Sequence, residues 1–152
     1  MVVTETPVGT TQFIVTYLRG ILETRDGVQP ELVRLARHIS LFNDKQVALR
    51  ITRMCLAPRV MHLARSTAPS LFKKLIARPV DALTVHCVQS IAQLPQRQPL
   101  EELVQRKLAG EPHSDTCSPQ LQQQQYMQMF IPLSSGGLGM MDTEAIAEAA
   151  FL

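Results

Sequence analysis

The chain has 152 residues, 45% apolar and 18% charged, a size and balance that fit one globular domain and exclude a disordered acidic chain. No stretch approaches the roughly 20 uninterrupted apolar residues that a bilayer span needs, so no membrane association is expected. The net charge of +2 conceals a strong segregation, because Lys45 to Val80 holds eight basic residues and no Asp or Glu, while the remainder holds seven basic and thirteen acidic residues.

Residues 1–9 read as an extended lead-in ending at Pro7 and Gly9, with no basic and apolar leader of the secretory kind. Thr10 or Thr11 caps a first helix to about Thr24, whose Phe13, Ile14, Tyr17, Leu18, Ile21 and Leu22 recur at helical spacing. Asp26-Gly27 marks a turn, and Pro30 opens a second helix with Leu32, Leu35, Ile39 and Leu41 or Phe42 inward. Asn43-Asp44 caps a third helix, with Val47, Ile51, Met54, Cys55 and Pro58 as one stripe and Arg50 and Arg53 on another face.

Pro58 is expected to kink or break this helix near Cys55, and Pro79 to interrupt in the same way a fourth helix that starts near Pro69. Pro95 to Pro99 is a linker, Leu100 to Gly110 a short helix, Glu111 to Pro119 a loop, and Ser118 to Phe130 a further helix. A turn-rich element, Ile131 to Asp142, leads to a last helix that ends at Phe151 and Leu152, an apolar end that implies truncation or a continuation. The fold class expected is all-α, an irregular bundle of about five to seven helices with Pro-kinked central helices. Residues 1–94 form the bundle, and residues 95–152 supply short helices and a Gly-rich turn packing on it as one continuous domain.

Three cysteines, Cys55, Cys87 and Cys117, are widely spaced with no CxxC, which favours free thiols in a reducing compartment, nucleus or cytoplasm. His38, His62, His86 and His113 stand apart and give no converging set of zinc ligands. No nucleophile–base pair or paired carboxylates can be picked out, so no catalysis, cofactor or metal is expected. SSGGLG, Ser134 to Gly139, lacks the Lys-Ser/Thr of a phosphate loop and reads as a backbone turn.

Three segments carry a resemblance. Ala48 to Pro69, an apolar helix followed by Cys, Pro-Arg and a further Arg before Pro, resembles the region that follows the palm in reverse transcriptases of non-LTR retrotransposons. Thr6 to Gly9 (TPVG) is similar to the join of that family's palm and thumb, and Ile131 to Leu152 resembles its LP-x-x-x-GGLGL stretch with an Ala-rich helix. The three stand in the family's order and span most of the chain. The resemblance implies the thumb and the connection beyond it, which grip a template–primer duplex. The polymerase carboxylates are not here: Asp26, Asp44, Asp81, Asp115 and Asp142 are isolated, and none forms the adjacent pair that two-metal transfer requires. Polymerisation is not carried over, and the palm is a candidate partner.

The candidate site is the basic window itself: Lys45, Arg50, Arg53, Arg59, Arg65, Lys73, Lys74 and Arg78. Lys and Arg gain sequence-independent affinity for phosphates by releasing condensed counterions. Only Phe72 interrupts the window as an aromatic, so contact with a DNA or RNA–DNA duplex backbone is favoured over stacking on single strands. The rival reading is a protein-interaction or self-association module with no nucleic-acid role, in which glutamates from other helices neutralise the window.

Overall fold

The computed structural model describes residues 2–3, 6–23, 29–94, 100–109 and 127–151. The predicted turn at Asp26-Gly27, the linker at 95–99, the loop at 111–119 and most of the helix expected over 118–130 lie outside them, as do Gly110, His113, Asp115 and Cys117. The described chain is all-α apart from one small antiparallel pair, β1 (Val2–Val3) and β2 (Thr6–Pro7), in which Val3 faces Thr6.

Helix α1 spans Thr11–Gly20, and the Thr10 hydroxyl accepts from the Phe13 N–H, as the capping residue predicts. It buries Leu18 and, just past its end, Leu22. Helix α2 (Glu31–Ser40) starts directly after Pro30. Its inward residues are Leu32, Val33, Ala36 and Ile39. Leu41 and Phe42, one of which is expected inward, are exposed instead. The helix closes at Ser40, so both residues lie past its end and are not carried onto its inward stripe.

Helix α3 (Lys45–Cys55) is capped by Asp44, whose carboxylate accepts from the Gln46 and Val47 N–H groups. Its buried positions are Ala48 and Thr52, followed by Leu56. The expected stripe of Val47, Ile51, Met54, Cys55 and Pro58 is therefore rotated by one position, about 100°. Val47 and Met54 face water, and Ile51 and Cys55 are half-buried. The physical reason is close approach: Ala48 and Thr52 are small, and Thr52 satisfies its hydroxyl on the Ala48 carbonyl at 2.9 Å, so both can lie against α2 and the central helix.

Pro58 acts as expected. Helix α3 stops at Cys55, and the chain turns through a 3-10 segment, Pro58–Val60, into the short α4 (Met61–Ala64). Pro79 does not. Helix α5 (Pro69–Phe72), a π segment (Lys73–Ala77) and α6 (Arg78–Ile91) follow one another without a break. Within the π segment the Arg78 N–H donates to the Lys73 carbonyl, five residues back. The wider turn gives the Pro79 ring room where an ordinary turn would bring it against the carbonyl four residues earlier. The expected interruption is thus a local widening of a continuous helix.

This run is the spine of the molecule. Phe72, Leu75, Ile76, Ala77, Val80, Leu83, Cys87 and Ile91 are buried along it. Helix α1 packs on the π segment, α2 and α3 pack on α6, and α7 (Leu100–Ala109) lays Val104 and Leu108 against α6 and α2. The last helix, α8 (Thr143–Phe151), packs on α4, α5, the π segment and α6 through a fully buried Ala147. One apolar cluster joins Leu18 of α1 to Leu108 and Ala147, so the two segments distinguished in the sequence share a core.

A second, smaller cluster of Val88, Met129 and Met140 holds the glycine turn. Helical residues 127–130 lead into it, and backbone bonds from the Leu138 and Met140 N–H groups to the Gln128 and Met129 carbonyls close it. At Gly137 a Cβ would lie 2.1 Å from the Ile131 carbonyl oxygen, and Gly139 has a φ of +62°, so the turn reading of SSGGLG holds.

The burial pattern predicts a contrast. Phe72→Ala, at 0% exposure, should cost about 3–5 kcal/mol in denaturant unfolding. Met54→Ala, at a position expected inward but 60% exposed, should stay within about 0.5 kcal/mol of the parent. Equal losses at the two positions would contradict the rotation of α3.

Candidate nucleic-acid interface

The eight basic residues fall on five successive pieces of backbone. Lys45, Arg50 and Arg53 lie on α3, and Arg59 on the 3-10 turn. Arg65 follows α4, Lys73 and Lys74 belong to the π segment, and Arg78 begins α6. Because Ala48 and Thr52 turn inward, the outer side of α3 presents Arg50 between Val47 and Met54, with Arg53 half-buried beside them.

Three of the eight are paired with glutamates from other helices. Arg59 bonds Glu31 of α2. Lys73 Nζ lies 2.7 Å from Glu148 Oε1, and Arg78 grips Glu144 Oε1 with Nη2 at 2.9 Å and Nε at 3.0 Å, both partners coming from α8. The expectation of a window free of carboxylates therefore holds along the sequence but not in space. Lys45, Arg50, Arg53, Arg65 and Lys74 make no ion pair among the described residues. Arg59 and Arg78 keep 49% and 57% of their side-chain surface exposed, so these are surface pairs, which contribute little to stability and are screened by salt.

The π segment determines how Lys73 and Arg78 present themselves. Five residues along an ordinary α-helix correspond to about 140° of rotation, which would point them to different sides. The i to i+5 register stacks Arg78 over Lys73 instead. Glu144 and Glu148, four apart on α8, share one face. Helix α8 runs antiparallel to the π segment, so Glu144 meets Arg78 and Glu148 meets Lys73. Lys73 holds the Glu148 carboxyl below its ordinary range by hydrogen bonding and charge.

Asp81 fixes the start of α8. Its two carboxylate oxygens accept from the Thr143 and Glu144 N–H groups, each at 3.0 Å, and Asp142 accepts from the Ala145 N–H. Asp81 is thus a capping residue supplied from α6, more than sixty residues away in sequence, a role that its isolated position did not signal. Burial pushes its carboxyl up to about 6, against the pull of the hydrogen bonds from Thr143 and Glu144.

The other candidate groups are spread out. His38 and His62 are exposed. Cys55 is half-buried, and Cys87 is sealed between α2 and α6, where burial pushes its thiol up to about 12. Among the described residues no three His, Cys, Asp or Glu side chains gather to hold a metal ion, and no helix is long and apolar enough to cross a membrane. Sequence reasoning missed Arg34, exposed on α2 with no ion pair among the described residues. It lies outside the basic window because Asp44 falls between it and the run of positive charge. No family model, curated protein or solved structure matches the chain.

The buried carboxyl gives a pH signature. Between 3.8 and about 6 the native state retains a proton on Asp81 that the unfolded chain has released. Its stabilising contribution is complete below 3.8 and is lost as pH rises through about 6. The melting temperature should fall across that window more steeply in the parent than in Asp81→Asn. Superimposable slopes would mean that Asp81 titrates as it does in the unfolded chain.

Proposed function

We propose that this chain is a non-catalytic helical module that binds DNA or RNA–DNA duplex through its phosphate backbone, in the manner that the resemblance to a reverse-transcriptase thumb implies. The observation that carries the reading is the outer side of α3. There Arg50, with the half-buried Arg53 beside it, is left without a carboxylate partner among the described residues, and Lys45, about 140° around α3 from Arg50, adds an unpaired cation at the helix start. An unneutralised cluster on one rigid helix is what counterion release acts upon. Arg65 and Lys74 add charge from neighbouring turns. The site works by contact alone: guanidinium forks meet phosphate oxygens, and base edges are not read.

A second reading, docking to another protein, draws on a different observation. Leu41, Phe42, Val47 and Met54 are 73%, 50%, 42% and 60% exposed, the first two just before α3 and the others on it. Apolar surface of this kind suits a partner that covers it, such as the palm of a parent polymerase or a second copy.

For the first reading, duplex affinity measured between about 50 and 200 mM salt should fall steeply. Arg50→Gln with Arg53→Gln should flatten the log–log slope by about 1.8, at roughly 0.9 for each phosphate no longer neutralised. A parent protein whose binding ignores salt rules that reading out. For the second, sedimentation at rising concentration should show association that Phe42→Ser with Met54→Ser abolishes. A monomer throughout, with no apolar-dye binding, rules out exposed apolar surface as a docking site.

A further inference from the structure

We infer that α8 is a built-in acidic competitor for the duplex, its two glutamates occupying Lys73 and Arg78 so that phosphates of a bound duplex do not reach them. The inference rests on the nucleic-acid reading above and specifies how that site is regulated.

Three observations converge on it. Among the described residues, both ion pairs between α8 and the central helix join a glutamate to a residue of the basic window, Glu148 to Lys73 and Glu144 to Arg78. The geometry is a matched ladder: the π register stacks the two cations, and the four-residue spacing of the glutamates follows them antiparallel. Finally, both pairs reach the surface: Glu148 and Arg78 keep 74% and 57% of their side chains exposed, and Lys73 and Glu144 keep 27% and 38%.

What keeps α8 in place is separate from the ladder. Asp81 caps its first turn, and Ala147 and Thr143 are fully buried. The glutamates can therefore let go while the helix stays docked. The competitor acts through side chains and needs no unfolding. Phosphates could reach these two cations only by displacing two carboxylates, so in the parent the ladder lowers affinity without blocking Lys45, Arg50 and Arg53 on α3.

The test uses the full chain and a short blunt-ended DNA duplex. Glu144→Gln with Glu148→Gln should steepen the salt slope by about 1.8, two phosphates at roughly 0.9 each, and tighten binding on the order of tenfold at low salt. Glu23→Gln with Glu102→Gln removes the same formal charge from residues that pair with none of the eight cations. It should leave the slope unchanged and shift affinity far less. Adding Lys73→Gln and Arg78→Gln to the first variant should return the slope to the parental value, with unchanged far-ultraviolet circular dichroism showing that α8 is still folded. A parent that binds, with a slope that the α8 variant shares, overturns the competitor and leaves the nucleic-acid reading standing. No binding by the parent or by any variant at low salt overturns both.

Discussion

Pro79 has no amide hydrogen to give, yet the helix on which the rest of the molecule packs passes through it unbroken. The π segment at Lys73–Ala77 reconciles the two. Without it the buried line from Phe72 to Ile91 would bend in the middle. The surfaces on which α1, α2, α3, α7 and α8 pack would then no longer belong to one rod. The same widening sets the angle between Lys73 and Arg78, so a single backbone adjustment determines both the shape of the core and the place where the two acidic side chains of α8 settle.

Much of this was legible along the chain. Thr10 and Asp44 cap helices because their side-chain oxygens reach N–H groups that the helix leaves open. Pro58 ends α3 because it has no amide hydrogen to give and its ring crowds the carbonyl four residues back. Less legible was the face that α3 turns inward. Hydropathy favours Val47 and Met54, whereas packing chose Ala48 and Thr52, whose small side chains allow backbones to come close. Pro79 misled because the π turn at Lys73–Ala77 makes room for its ring, and no local pattern in the sequence announces that turn.

The charge pattern shows a different limit. A run of eight cations without an acid is a fact about neighbours in sequence, and the acids that matter lie elsewhere. Glu144 and Glu148 are 66 and 75 residues from their partners, and no local pattern relates them. Only the docking of α8, directed by Asp81, brings them to the window. The fold thereby divides one block of charge into cations without a carboxylate partner among the described residues, three of them on α3, and cations already paired, two of them with α8.

Cys87 adds a chemical consequence of the same tight interior. Its sulfur donates toward the Ala36 carbonyl and lies within reach of the Ser40 hydroxyl, in surroundings that keep it a thiol far above neutral pH. Since only the thiolate attacks electrophiles, alkylating reagents and oxidants find nothing to react with there while α2 and α6 remain joined. The rate at which that sulfur is labelled thus becomes a clock for how often the middle of the molecule comes apart.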